Sequence, residues 1–170
     1  MATGSADATI RVWCTSTGEC VRILDLHNGT IWWLAFSHDS TLIASGVGDN
    51  TIQIWNTSTG ECFKTLRGHL KSVTAVTFPH DSTLIASGSD DGTIRIWRSS
   101  MGECIRTLDI EVPAIYLRFQ SGNSHVLTGR GAFNIRKVSG RSSNEPLPIT
   151  ASGHRSFLGL SGDGCWGHMG

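Results

Sequence analysis

From the N-terminus to about residue 138, short runs rich in Val, Ile, Thr, Phe and Trp alternate with polar clusters of Asp, Ser, Asn and Gly. No window of about 11 residues keeps the 3.6-residue spacing of an amphipathic helix, so the pattern predicts strands joined by tight turns. Where it is fullest it places strands at 73–78, 84–88, 93–97 and 104–108. The turns between them are chemically explicit. Pro79, His80, Asp81 and Ser82 form one, and Ser89, Asp90, Asp91 and Gly92 another, all residue types that tolerate tight-turn dihedrals.

The same pattern repeats. Trp13, Trp55 and Trp97 stand 42 residues apart, and DATIRVW at 7–13 returns as DNTIQIW at 49–55 and DGTIRIW at 91–97. GEC recurs at 18–20, 60–62 and 102–104, and HDSTLIASG occupies both 38–46 and 80–88. Self-similarity at a period of about 40 residues marks a repeat architecture, and four antiparallel strands per period make one propeller blade.

On these residues the chain resembles the WD-repeat β-propellers. The resemblance implies an all-β fold in which each blade holds a histidine after the outer strand, a hydroxyl in the second strand, an aspartate in the next turn and a tryptophan in the third strand. Those positions match His27, Ser45, Asp49 and Trp55, then His69, Ser87, Asp91 and Trp97; the first, partial unit keeps Thr3, Asp7 and Trp13. An imidazole can donate to a carboxylate from one ring nitrogen and meet a hydroxyl with the other, while the indole N–H serves the same hydroxyl. The expected role is structural, because the set recurs in two blades, lacks a GxSxG elbow and places each serine inside a strand. No enzyme is expected.

The expected organisation is an incomplete propeller of blades at 1–24 (partial), 25–66, 67–108 and 109–138 (degenerate), then an irregular tail at 139–170 holding a partial terminal blade. In the fourth unit Glu111 stands at the histidine position, Thr128 at the hydroxyl, Ala132 at the aspartate and Val138 at the tryptophan, with strands expected at 115–119, 125–129 and 133–138. The tail is rich in Ser, Gly and Pro around one expected strand at 147–151, and residues 157–166 resemble the start of another blade. Both ends read as mid-blade, so the expectation is a fragment of a longer product or an open array completed by another copy or chain.

Composition narrows the function. Of 170 residues 39% are hydrophobic and 16% charged, with 14 Lys and Arg balancing 14 Asp and Glu. A chain so poor in net charge has no field to hold nucleic acid or an anionic membrane. The sparse basic stretch at 130–155 reads as solvated surface. There is no run of about 18 apolar residues and no signal-peptide pattern, so the expected compartment is cytoplasmic, and the glycosylation patterns at Asn28 and Asn56 are expected to be silent. Five cysteines without a CxxC pair predict neither a disulfide framework nor a metal site; Cys20, Cys62 and Cys104 read as one small apolar position reused in each blade. No cofactor is expected.

What remains is protein recognition, and partner choice then lies where the blades differ. The loop entering the inner strand carries Thr30, Trp32 and Trp33 in one blade, Ser72 and Thr74 in the next, and Tyr116 in the third; the turn before the aspartate offers Gly48 against Asp90. Trp32 leads these rim candidates, because Thr74 and Tyr116 at its equivalent positions show that the fold does not need tryptophan there, and aromatic anchors dominate interface energy. The near-identical adjacent repeats also resemble the C-terminal arrays of fungal NACHT-type receptors, which implies a sensor role. The nucleotide-binding loop and effector of that class have no counterpart in these residues. The competing expectations are a general intracellular scaffold, self-association that completes the ring, and a truncated product without independent function.

Overall fold

The computed structural model of the chain describes residues 1–25, 28–120 and 122–136. The tail expected at 139–170, His27 and Val138 lie outside the described residues. Within them every regular element is a strand, and the strands form four antiparallel sheets, each with its strands side by side in chain order. The first sheet holds β1 (Ala2–Gly4), β2 (Ile10–Trp13) and β3 (Cys20–Leu24). The second holds β4 (Ile31–Phe36), β5 (Leu42–Val47), β6 (Ile52–Asn56) and β7 (Cys62–Leu66). The third holds β8 (Val73–Thr77), β9 (Leu84–Ser89), β10 (Thr93–Arg98) and β11 (Cys104–Asp109); the fourth holds β12 (Arg118–Phe119), β13 (His125–Thr128) and β14 (Gly131–Asn134).

The 42-residue period governs the backbone as well as the strands. Gly18, Gly60 and Gly102 close the turn before each outer strand at φ of 75°, 78° and 73°, a left-handed conformation that glycine adopts without steric cost. Ala8, Asn50 and Gly92 share another left-handed position, at φ of 65°, 72° and 80°. Asparagine and glycine suit that conformation and alanine does not. A register shift precedes each tryptophan, after which Trp13, Trp55 and Trp97 stand opposite Cys20, Cys62 and Cys104. The recurring cysteine is therefore the small residue across the ladder from a bulky indole, and all three are free thiols.

The hydrophobic core lies between successive sheets. Ile10 and Leu24 of the first sheet pack with Ile31, Ile43, Val47 and Trp55 of the second. Ile52, Ile54 and Leu66 on the opposite face of the second meet Val73, Val76, Ile85 and Trp97 of the third. Ile94, Ile96 and Leu108 then meet Ala114, Leu117, Val126 and Phe133. Each tryptophan thus packs against the preceding sheet, burying the indoles of Trp55 and Trp97 to 1% exposure. No described sheet precedes the first, and Trp13 is only half-buried.

Two devices set the spacing at these seams. Gly4 and Gly46 sit where a Cβ would collide with Ile31 and Val73 of the following sheet, and Gly88 where it would collide with Ala114 in the segment leading into the fourth. At the outer ends, Arg22 donates to the carbonyls of Ser58 (2.8 Å) and Thr59 (2.9 Å) in the second sheet. Lys64, 42 residues on, donates to the carbonyl of Ser100 (2.6 Å) in the third. The aliphatic stems of these cations cross Gly60 and Gly102, where a Cβ would lie 2.6 Å from Arg22 Cδ and 2.7 Å from Lys64 Cδ.

The fourth sheet departs from the sequence expectation. Its inner strand is reduced to Arg118–Phe119. Pro113 offers no N–H to a ladder, and the buried residues upstream, Ala114 and Leu117, are three apart instead of alternating. The expected equivalence of Thr128 with Ser87 and Ala132 with Asp91 also fails. Ser87 stands opposite Arg95, whereas Thr128 stands opposite Gly131 and Ala132 is within the strand opposite Leu127. A two-residue turn at Gly129 and Arg130 replaces the long aspartate turn, and the Thr128 hydroxyl closes it by accepting from Arg130 N–H (3.0 Å). Glu111, at the histidine position, is exposed.

Candidate functional site

In the third sheet the sequence-predicted polar residues meet. Ser87 lies on β9, Trp97 two rungs away on β10, Asp91 in the turn between those strands, and His69 in the segment that leads into β8. His69 Nε2 is 2.8 Å from Ser87 Oγ and its Nδ1 is 2.9 Å from Asp91 Oδ2, while Trp97 Nε1 donates to Ser87 Oγ at 2.8 Å. The protonation pattern follows from the partners. A carboxylate only accepts, so Nδ1 carries the proton; neutral Nε2 then accepts from the Ser87 hydroxyl, whose remaining lone pair takes the indole N–H. Asp91 also accepts from Leu70 N–H (2.9 Å), Thr93 N–H (2.9 Å) and Thr93 Oγ1 (2.6 Å), tying the incoming segment to the hairpin.

Burial of the His69 imidazole disfavours its charged form and pulls its pKa below the usual value, against the raising effect of Asp91. Burial pushes the Asp91 carboxyl upward, but hydrogen bonds from Thr93, from Leu70 N–H and from His69 outweigh it and hold the group well below the ordinary carboxylate range. A neutral imidazole against a carboxylate is thus the resting state.

Serine, histidine and aspartate at these distances have the types of a hydrolase triad. The access does not match. Ser87 is 0% exposed and its oxygen is occupied by both the imidazole and the indole, so no substrate carbon can approach it. The arrangement does structural work, satisfying buried groups that would otherwise cost about 1–3 kcal/mol each.

The second and first sheets show the same parts. Trp55 Nε1 donates to Ser45 Oγ at 3.2 Å, and Asp49 accepts from Thr51 N–H (3.1 Å) and Thr51 Oγ1 (2.6 Å); His27 lies outside the described residues. In the first sheet Trp13 Nε1 donates to Thr3 Oγ1 at 2.9 Å, and Asp7 accepts from Thr9 N–H (3.0 Å) and Thr9 Oγ1 (2.6 Å).

Comparison with known families agrees with this geometry. Residues 18–56 and 60–98 each match the family described as WD domain, G-beta repeat. These two stretches are WD40 repeats. Each match begins at a Gly-Glu-Cys turn and takes in the outer strand of one sheet with three strands of the next, so the sequence repeat is offset from the structural blade by one strand. The described sheets are blades of an all-β, incomplete WD-repeat propeller, with no closed barrel among the described residues. No curated protein matches the chain. WD40 repeats generally mediate protein–protein interaction, and proteins built from them are typically scaffolds without enzymatic activity.

A recognition surface must then be sought among exposed side chains. Trp32 is 55% exposed, and the ladder explains why: Ile31 pairs with Val47 and Trp33 with Gly46, leaving Trp32 as the unopposed residue of a β-bulge. Thr74 is the same residue of the bulge in β8. The Trp32 indole lies against the backbone of Gly48, where a Cβ would sit 3.3 Å from Nε1. Gly48 N–H donates to the Thr30 carbonyl (2.9 Å), and Asp90 N–H makes the matching bond to Ser72 (3.0 Å). Ser72 Oγ crosses between blades to the Gly48 carbonyl (3.4 Å), so Thr30, Trp32, Gly48, Ser72 and Asp90 are contiguous.

Thr74 reaches the Ala114 carbonyl across the next seam (3.4 Å), and Tyr116 lies beyond it, 47% exposed. Trp33 is 37% exposed. Comparison of the loops does not single out Leu70 and Ile115, yet at 80% and 70% they are the most exposed large apolar residues described. Leu70 stands where the other blades have Asn28 and Val112, a signal too weak to separate from packing; Ile115 aligns with the buried Ile31 and Val73, so the period points to burial there and only the shortened inner strand of the fourth sheet exposes it.

Proposed function

We propose that the chain is a protein-recognition module whose contact surface is the blade rim around Trp32. The observation that carries this reading is the exposed indole on a bulge whose counterpart in the next blade is threonine. The next blade keeps the same bulge with Thr74, so the fold does not require tryptophan there, and a large aromatic side chain on a fixed scaffold is the usual anchor of a protein interface. The partner is a protein; neither nucleic acid, membrane nor cofactor enters the reading, and the compartment is cytoplasmic.

At a finer level the module serves as the sensor repeat region of a receptor of the fungal NACHT type. The near-identity of adjacent repeats, with HDSTLIASG occurring twice, supports this reading. Transcripts that join these repeats to an upstream nucleotide-binding domain would establish it, and transcripts that never do would favour a general scaffold.

The test of the rim compares two tryptophans. Trp97→Ala removes a fully buried indole and is expected to cost about 3–5 kcal/mol in chemical unfolding. Trp32→Ala is expected to cost less than about 1 kcal/mol and to abolish capture of a partner that the unmodified chain retains. Equal destabilisation by the two substitutions would sink the rim reading.

Self-association is a second reading, favoured by the face of the first blade that no described sheet covers. Ile23 is 56% exposed there, and Trp13 is only half-buried where Trp55 and Trp97 are covered.

A further inference from the structure

Two histidines stand one repeat apart in matching turns. His38 lies between β4 and β5 and His80 between β8 and β9, each followed by Asp, Ser and Thr. The turns fold alike. Ser40 N–H donates to the Ser37 carbonyl (2.9 Å) and Ser82 N–H to the Pro79 carbonyl (3.1 Å), and Asp39 and Asp81 accept from Thr41 N–H and Thr83 N–H, both at 3.1 Å. One bond joins the two turns across the seam between the second and third blades: His38 N–H donates to Ser82 Oγ (3.1 Å).

That joint brings the two side chains together. The imidazole centroids of His38 and His80 are 3.6 Å apart with the rings tilted by 33°, and both residues are exposed. No described residue hydrogen-bonds a ring nitrogen of either. The other described histidines differ: His69 uses both nitrogens on Ser87 and Asp91, and His125 Nδ1 meets Ser124 Oγ at 2.9 Å. The stacked pair therefore holds two free imidazoles side by side on a backbone that the turns already fix.

A neutral imidazole ligates zinc or nickel through either ring nitrogen. Two such nitrogens on one tetrahedral ion, each about 2.0–2.1 Å from it, stand about 3.3 Å apart. The 3.6 Å stack sets the rings close to that bite, and two exposed side chains can turn about χ2 to aim one nitrogen each at a shared ion. The neighbouring carboxyls favour a cation. Hydrogen bonds from Ser37 and Thr41 hold Asp39 below the usual carboxylate range, and those from Thr83 do the same for Asp81, so both stay negative beside the rings.

We propose that His38 and His80 together bind one divalent ion of the zinc and nickel class, one nitrogen from each ring and water in the remaining positions. The ion clamps the second blade to the third. It does so at the ends of the strands opposite the rim, about 20 Å along the chain of β4 from Trp32, so the site stands or falls independently of the rim reading.

The test titrates nickel chloride alone into the full chain at pH 8, above the ordinary imidazole range. The paramagnetic ion is expected to broaden the ring signals of His38 and His80 before those of any other histidine, and calorimetry is expected to give one equivalent in the tightest site. His38→Asn and His80→Asn are each expected to weaken that site at least about tenfold, because a single ring loses the chelate, and the double variant is expected to bind no more weakly than either single one. His125→Asn is expected to leave binding unchanged. Nickel is also expected to raise the melting temperature of the unmodified chain and not that of the His38 and His80 variants, whose melts without metal check that asparagine in these exposed turns leaves the fold intact. Broadening that begins at another histidine, losses of only about twofold in the single variants, as independent surface imidazoles would give, or no binding at millimolar nickel would each overturn the proposal. Failure of the rim reading is separate: it shows as partner capture that survives Trp32→Ala.

Discussion

A Cβ on Gly46 would stand 2.7 Å from the carbonyl oxygen of Val73, across the seam between the second and third blades. It would also lie 3.1 Å from Val73 Cγ1 and 3.2 Å from Val76 Cγ2, so a backbone and two side chains would all have to move. Gly46→Ala is expected to destabilise by about 1–3 kcal/mol, the cost of forcing a methyl into a packed interior. The effect is one of packing, since Gly46 does not have the left-handed backbone of Gly18, Gly60 and Gly102. Urea unfolding checks it. A stability within about 0.5 kcal/mol of the unmodified chain would mean that the blades slide apart more easily than the seam implies.

The His69 and Asp91 pair predicts an acid-sensitive third blade. Both groups titrate at lower pH in the folded chain than in the unfolded one, so between their two pKa values the unfolded chain binds more protons. Their stabilisation is fully present above the unfolded values, about 6.5 for the imidazole and about 3.9 for the carboxyl, and is lost as pH falls. Stability is expected to decline from pH 7 to pH 5 through His69 and to fall further below about pH 4 through Asp91. His69→Asn is expected to lower stability at neutral pH and to flatten the decline between pH 7 and 5. An unchanged slope in that variant would place the sensitivity elsewhere.

Much of this was legible because the information was local. The spacing of Trp13, Trp55 and Trp97, read with the turn residues around Asp49 and Asp91, located the strands of the repeats within a residue or two. The union of His69, Ser87, Asp91 and Trp97 was legible through resemblance to a family. The seams were not, although their signal was present: Gly4, Gly46 and Gly88 recur at the repeat period. What makes them glycine is the next sheet, and no local pattern states how closely two sheets approach. The same holds for Arg22 and Lys64, which read as ordinary outer-strand cations until the next blade supplies the carbonyls. In the fourth unit, alignment by period misplaced Thr128 and Ala132 because a two-residue turn had replaced a longer one, a change of backbone count that spacing alone does not detect.

Ala8 marks a place where the first blade is less well suited to its own backbone than its neighbours are. It holds φ at 65°, where the later repeats use Asn50 and Gly92. Left-handed backbone costs a residue bearing a Cβ about 1 kcal/mol relative to glycine, and asparagine tolerates it better than alanine. Ala8→Gly is expected to stabilise the chain by about 0.5–1 kcal/mol and Ala8→Asn by less, read from thermal or urea unfolding. The sign is the test, because glycine substituted into an ordinary strand or turn would destabilise instead.

Trp13 gives the clearest test of self-association. The face it occupies is chemically the one that the second and third blades bury: an indole bonded to a strand hydroxyl, opposite a cysteine, with a turn glycine nearby. In those blades the preceding sheet covers it with Ile10 and Leu24, or with Ile52, Ile54 and Leu66. Around Trp13 the exposed apolar residues Val21 (58%) and Ile23 (56%) lie on the outer strand of the same sheet. Among the described residues no sheet covers this face, and an apolar sheet face bordered by strand edges favours association. Light scattering on the purified chain is expected to give twice the 18.3 kDa of one copy, and Ile23→Glu, which puts a charge on that face at little cost to folding, is expected to return it to 18.3 kDa. A single-copy mass for the unmodified chain, with a cooperative melt, would mean that the blades hold together without a second copy and would leave recognition at the Trp32 rim as the module's activity.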